Sequence, residues 1–125
     1  MHQLVRFLLL SLFAPVLFAA DDYEIADGLE MIPATTPGLV RHPVMANYDD
    51  QGRLFVAENA GLNLNKEELL AQKPNFIRLI EDTDKDGVFD KSTIFADGLT
   101  FPQGALWVYD SLYVMSPPSL WRFAD

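Results

Sequence analysis

The chain contains no cysteine, and this absence excludes several kinds of chemistry at once. Without cysteine there is no disulfide, no thiolate nucleophile, no zinc site of the cysteine type and no covalent haem attachment through a CxxCH motif. Histidine is scarce as well, since only His2 and His42 are present. The fold must therefore be stabilised by packing and by any metal that oxygen ligands can hold.

Basic residues and phosphate-binding motifs are also in short supply. The 9 Lys and Arg residues stand against 18 Asp and Glu, which gives a formal net charge of −9 at pH 7. Such a charge repels nucleic acid and acidic membranes, whereas it suits cation binding. Neither a Walker loop nor a GxGxxG motif occurs in the sequence. We therefore expect no nucleic-acid partner and no internal nucleotide site.

Residues 1–20 have the pattern of an export signal. A weakly basic start is followed by an apolar run from Phe7 to Phe18 and by two alanines just ahead of Asp21. The run is shorter than the ~20 residues that a membrane-spanning helix needs. We interpret 1–20 as a signal peptide, which predicts a periplasmic or extracellular protein with no stable membrane span after cleavage. An uncleaved signal anchor is the alternative.

The remaining sequence predicts an antiparallel all-β protein with one short inserted helix. Residues 21–43 are rich in proline and glycine and predict an extended leading segment. From residue 44 to residue 125, short β-branched and aromatic stretches alternate with turns, one of them at Gly98. The exception is Asn65–Lys73, a helical stretch whose first residue forms a capping box with Glu68.

The most informative motif is an acidic turn between two predicted strands. Aspartates occupy loop positions 1, 3, 5 and 9, and Gly87 occupies position 6, as in the first nine residues of a calcium loop. Position 12 is Thr93 rather than the bidentate Glu of an EF-hand, so we predict a calcium-binding hairpin loop instead. The predicted ligands are four side chains and one backbone carbonyl: Asp82, Asp84, Asp86, Val88 and Asp90. A solvated turn without an ion is the alternative.

A faint internal repeat connects the two halves of the strand-rich region. The stretch Pro43–Val56 resembles the stretch Pro102–Val114, with a spacing of just under 60 residues. Periods near this length are typical of the four-stranded blades of a β-propeller. Residues 44–125 would then form about one and a half blades. Because propellers close with four or more blades, we expect the chain to be the amino-terminal part of a longer protein or a truncated product.

Three motifs together resemble one family of exported bacterial propellers. They are DQGRLFVAE at 50–58, IRLIEDTDKDG at 77–87, and TIFADGL at 93–99 followed by Pro102 and Gly104. The family is described as membrane-bound dehydrogenases and is similar to the soluble glucose/sorbosone dehydrogenases that use pyrroloquinoline quinone (PQQ). The resemblance implies a six-bladed propeller, a quinone cofactor, a sugar or small alcohol substrate and, in many members, a cytochrome domain. This chain has no cysteine for the cytochrome motif.

No residue can be matched to the catalytic histidine of the quinone enzymes, so the catalytic and cofactor-binding residues stay unknown. His42 is the only candidate general base after the leader, although a surface histidine beside a turn proline is the simpler interpretation. Glu58 would either face a central channel or lie at a solvated strand end. Trp107 and Trp121 fit the core of a blade better than a sugar-stacking platform.

Three functions therefore stay open. The chain is a dehydrogenase-like propeller that is inactive as a fragment, or a non-catalytic calcium-stabilised module that binds carbohydrate or protein, or a secreted hydrolase that uses a pair of acids. No spacing singles out such a pair. For the 125-residue chain by itself we expect no dehydrogenase turnover, since downstream blades would be needed.

Overall fold

The computed structural model describes residues 24–124. Residues 24–32 belong to one compact unit and residues from Pro33 onwards to a second. In the first unit, the Leu29 N–H bonds to the Ala26 carbonyl across a turn, at 3.1 Å. No helix in the described part of the chain is long and apolar enough to cross a membrane. The predicted signal peptide, 1–20, lies outside the described residues.

The unit that begins at Pro33 is built from strands, with one short helix. Its elements are β1 Pro43–Tyr48, β2 Leu54–Glu58, α1 Lys66–Gln72, β3 Asn75–Glu81, β4 Lys91–Leu99, β5 Gly104–Val108, β6 Ser111–Ser116 and β7 Ser119–Ala124. Sheet 1 has the order β1-β2-β3-β4 and sheet 2 the order β5-β6-β7. All neighbouring strands are antiparallel. The predicted mostly-β class with one short helix is therefore confirmed.

The helix α1 begins and ends where the sequence predicts. The Asn65 side chain accepts a hydrogen bond from the Glu68 N–H at 2.9 Å, and the Glu68 carboxylate accepts one from the Asn65 N–H at 3.0 Å. Lys73 ends the helix in a left-handed conformation (φ 46°), and Pro74 disfavours a helical residue directly before it. Because α1 buries none of its residues, it is a surface insertion between β2 and β3.

One predicted turn is wrong, because β4 continues past Gly98 to Leu99. The pairing changes from Ile77↔Ala96 to Asn75↔Leu99, which leaves one extra residue on β4. This is a β-bulge, and Gly98 takes a left-handed conformation (φ 66°) that glycine adopts without steric cost. The glycine therefore bends the strand and does not end it.

The two sheets pack face to face. Since successive strand residues point to opposite sides, each sheet has two faces. We call the side that carries Phe55 and Ile77 the front face of sheet 1, and the side that carries Ala105 and Val114 the back face of sheet 2. The core between these two faces consists of buried apolar residues: Phe55, Ala57, Ile77, Leu99, Ala105, Leu112 and Val114.

The back face of sheet 1 has a second, smaller core. It contains Leu54, Val56 and Ile80 from the sheet and Phe89 from the acidic loop. Residues 34–41, which we call the strap, lie over it, with Leu39 and Val40 packed against the buried side chains. The strap is the part of the predicted extended segment that directly precedes β1.

Backbone hydrogen bonds tie the strap to the acidic loop. The Phe89 N–H donates to the Ala34 carbonyl, and the Thr36 N–H donates to the Phe89 carbonyl, both at 2.9 Å. Thr35 and Phe89 thus form an isolated parallel bridge. The acidic loop is therefore held between the β3–β4 hairpin and the strap.

Candidate metal centre

The acidic loop joins β3 to β4, as the sequence predicts, and no helix flanks it. Glu81 and Lys91 pair across the base of the hairpin, with their side chains 2.7 Å apart. The Asp90 N–H donates to the Glu81 carbonyl at 3.1 Å, which closes the loop. The base of the loop is therefore closed by one backbone hydrogen bond and one ion pair.

Three of the predicted ligands lie together. Asp82, Asp84 and Asp86 each offer one carboxylate oxygen, and these oxygens all lie within 4.8 Å of one another. Alternate residues of a tight turn can direct their oxygens to one centre, which is the geometry that a calcium loop uses. We call these three residues the Asp trio.

Backbone amides of the loop orient the trio. Asp82 accepts from the Lys85 N–H at 2.7 Å and from the Gly87 N–H at 2.9 Å. Asp86 accepts from the Val88 N–H at 2.8 Å. Each carboxylate oxygen can accept more than one interaction, so these bonds fix the side chains without using up their capacity for a cation.

The turn of the loop depends on Gly87. Its φ is 94°, in the left-handed region that favours glycine. A Cβ added there would meet no atom within 4 Å, so a larger residue would strain the backbone without a steric clash. The sequence-based role of this glycine is therefore confirmed.

Asp90 has a different role from the trio. Its two carboxylate oxygens accept hydrogen bonds from Thr83, one from the N–H at 2.9 Å and one from the hydroxyl at 2.6 Å. The Thr83 hydroxyl, followed by the Thr83 N–H, lowers the pKa of Asp90 from its ordinary value of 3.8. Asp90 thus clamps the loop, and Thr83 is a participant that the sequence pattern did not indicate.

The chemistry of the trio suits a hard divalent cation. At about 4.8 Å, carboxylates repel one another by roughly 1 to 3 kcal/mol per pair, depending on how much water screens them. A cation bound by the three carboxylates would offset this repulsion. Calcium takes 6–8 oxygens in flexible geometry, so three carboxylates leave coordination positions for backbone oxygens and water.

Glu58 lies at the carboxyl end of β2, at the opposite end of the strands from the acidic loop. It is neither a channel residue nor a solvated strand end, so both sequence interpretations are wrong. It is only 1% exposed. Its carboxylate accepts hydrogen bonds from the Arg78 side chain and, at 3.2 Å, from the Arg41 N–H. The strap covers this ion pair, which the sequence could not indicate because it depends on strand register.

His42 lies directly before β1, at the same end of the strands as Glu58, and is exposed. With Asn59 and Asn63 it lines an open cavity of about 480 Å³. The imidazole packs on Gly61, where an added Cβ would lie 2.7 Å from Nε2. The surface position agrees with the simpler interpretation of this histidine.

The two tryptophans differ in their surroundings. Trp107 stacks on Phe55 in the contact between the sheets, which confirms it as a core residue. Trp121 is 42% exposed and stacks on Phe123, with ring centroids 6.3 Å apart.

Fold and site together define a mostly-β protein with two antiparallel sheets, which carries a three-carboxylate cluster on a hairpin loop. The chain belongs to the family described as a domain of unknown function, DUF7133, which matches residues 19–125. No curated protein and no solved structure matches the chain.

Proposed function

We propose that the two sheets are successive blades of a β-propeller and that the Asp trio of the first blade binds calcium. The supporting observation is that the first hairpin of each sheet repeats the same pairs. Ala46↔Val56 in sheet 1 corresponds to Ala105↔Val114 in sheet 2. An aromatic–leucine pair recurs one step along, since Tyr48↔Leu54 corresponds to Trp107↔Leu112.

The way the sheets meet also supports this arrangement. The repeated pairs lie on the back face of each sheet, and the front face of sheet 1 packs on the back face of sheet 2. The first strands of the two sheets also contact each other. The Trp107 N–H of β5 donates to the Asn47 side chain of β1 at 3.1 Å. In a propeller, the blades are arranged around an axis, and each blade packs on the next in the same front-to-back way.

The remaining face of sheet 2 fits a position inside a larger propeller. Leu106, Met115 and Leu120 lie on this front face and are 54%, 47% and 63% exposed. We propose that a further blade covers them in an exported protein of the glucose/sorbosone dehydrogenase type. For this chain alone, we propose that it does not oxidise sugars or alcohols.

Calcium would stabilise the first blade at the turn between its last two strands. The trio spans only five residues, so binding neutralises the turn and holds β3 and β4 together. Thr93 stands where an EF-hand supplies a bidentate glutamate, so we expect weak affinity, on the order of 10⁻⁴–10⁻³ M as in extracellular calcium modules. Such a site fits an exported protein.

A second candidate function is a non-catalytic module that binds carbohydrate or protein. The observation that favours it is the open cavity beside His42, whose lining includes the amides of Asn59 and Asn63. These amides can both donate and accept hydrogen bonds, as recognition of polar ligands requires. Binding of glycans or proteins to this cavity would be compatible with the calcium site, since the two lie at opposite ends of the strands of sheet 1.

The calcium proposal is tested by thermal unfolding with calcium and with EDTA. Calcium should raise the melting temperature of the wild type through binding to the folded state. Asp84→Asn and Asp86→Asn should each remove most of this increase. Asp97→Asn is the matched control, because it changes the same charge on β4 outside the loop, and it should respond as the wild type does. An equal increase in melting temperature in all four proteins would show that the trio does not bind the calcium.

A further inference from the structure

The back face of sheet 1 and the front face of sheet 2 are the two outward faces of the packed pair. By position, the back face of sheet 1 corresponds to the back face of sheet 2, since the same residue pairs occupy both. The back face of sheet 2 is buried against a front face within this molecule. The two outward faces are thus of the two types that already pack together once.

The strap covers the back face of sheet 1 together with Phe89 of the acidic loop. Leu39 and Val40 supply its apolar contacts, and the cover is incomplete, since Tyr48 and Ile94 on the same face are each 56% exposed. Beneath the strap, Leu54, Val56 and Ile80 are nearly or fully buried. The surface under the strap is therefore largely apolar, with the Glu58–Arg78 ion pair at one end, and it is continuous with exposed apolar residues at its margins.

Few hydrogen bonds hold the strap in place. Two backbone bonds join it to Phe89, and the Arg41 N–H reaches Glu58. The Ser92 hydroxyl donates to the Leu39 carbonyl at 3.4 Å, near the limit of a hydrogen bond. A segment held this sparsely can leave the face at moderate free-energy cost, because local opening is governed by buried contacts and backbone bonds.

We propose that the strap prevents head-to-tail association of this chain with itself. When the strap leaves, the back face of sheet 1 accepts the front face of sheet 2 from a second copy of this chain, and this contact takes the place of the further blade proposed above for the longer protein. The occupant is assigned to a second copy because this chain carries both face types, and the contact would repeat the packing seen between its own sheets. A contact of this kind joins different surfaces, so it continues from copy to copy and does not close as a twofold dimer.

The proposal rests on the pairing repeat described above and not on calcium. Running the experiment in calcium and in EDTA separates the two. If calcium does not raise the melting temperature but the strap variants still associate, only the metal site is contradicted. If calcium raises the melting temperature but the strap variants stay monomeric, only the role of the strap is contradicted.

The experiment measures molar mass by light scattering during size-exclusion chromatography of the full chain. The wild type should be monomeric. Leu39→Ser combined with Val40→Ser should release the strap and at least double the apparent molar mass, in a manner that depends on concentration. Hydrogen exchange of the Thr36 and Phe89 amides reports the release independently of association.

A second substitution locates the interface. In the strap-released background, Leu120→Lys on the front face of sheet 2 should restore the monomer. Leu62→Lys is the matched control, since Leu62 is also an exposed leucine (51%) but lies in the loop before α1, and it should leave association unchanged. If the double serine variant fails to fold, Thr36→Pro removes one strap hydrogen bond without touching the apolar contacts and should give a smaller increase.

Three results would overturn the proposal. The first is a variant whose strap amides exchange rapidly while it stays monomeric. The second is a wild type that associates as strongly as the strap variants. The third is association that Leu120→Lys does not weaken, which would place the interface elsewhere.

Discussion

The ring of Phe55 in sheet 1 stacks on the indole of Trp107 in sheet 2, with centroids 5.3 Å apart and planes 8° from parallel. Phe55 also meets Phe95 edge to face, at 4.8 Å. Phe55 therefore contacts aromatic rings of both sheets, at the centre of the larger core. Aromatic pairs of this kind contribute more than their buried area alone.

Replacing Phe55 should weaken the whole fold. Phe55→Ala removes a fully buried ring and both aromatic contacts, so we expect a loss of about 3–5 kcal/mol in the free energy of unfolding. Denaturant unfolding followed by tryptophan fluorescence measures it. Phe76→Ala, at a partly exposed position of β3, is the control and should cost clearly less. Equal losses for the two variants would mean that the contact between the sheets contributes little.

The stability that the Glu58–Arg78 ion pair provides should depend on the charge of Glu58 and not on its shape. Glu58→Gln keeps the size of the side chain but leaves the partly buried Arg78 without its carboxylate. Removing one partner of a buried pair usually costs about 3–5 kcal/mol, and the partial exposure of Arg78 lowers our expectation to about 2 kcal/mol. Equilibrium unfolding in urea measures this loss. Glu67→Gln, on the exposed surface of α1, should be nearly neutral.

The clamp between Thr83 and Asp90 should appear in the acid titration. The lowered pKa of Asp90 means that the clamp contributes stability above the unfolded pKa, near 3.8, and that this contribution is lost as the pH falls through the lower folded pKa. Thr83→Val removes the hydroxyl donor and should raise the pKa of Asp90, which carboxyl ¹³C NMR measures directly. The stability difference between the wild type and the variant should shrink in acid.

A matched substitution controls this titration. Thr93→Val is also a threonine-to-valine change, at an exposed position of β4 outside the clamp. It should leave the titration of Asp90 unchanged. A Thr83→Val variant with the wild-type pKa at Asp90 would contradict the assignment of the shift to that hydroxyl.

Local signals in the sequence predicted much of the fold. The strands around the acidic loop follow from their β-branched and aromatic residues, and α1 follows from Asn65, Glu68 and Pro74. These features act over a few neighbouring residues, so a single sequence is enough to find them. The acidic loop is found for the same reason, because its aspartates are close in sequence.

Features that depend on register or on distant segments could not be predicted. The Glu58–Arg78 pair joins residues 20 apart across two strands, and the strap meets Phe89 about 50 residues further along. The bulge at Gly98 requires knowledge of the partner strand, since glycine in isolation equally favours a turn. The prediction for Asp90 is also incomplete. It names Asp90 only as a metal ligand and misses the hydrogen bonds from Thr83 on the other side of the loop.

The binding of calcium by the acidic loop is tested most directly by a calcium titration followed in ¹H–¹⁵N NMR spectra. The account predicts saturable shifts of the amide signals of Lys85, Gly87 and Val88, which bond to the trio, with reversal by EDTA and no change at these amides in Asp84→Asn. Asp97→Asn should titrate as the wild type does. Amide signals of residues 82–90 that stay fixed up to several millimolar calcium, above the range of weak extracellular sites, would contradict the account.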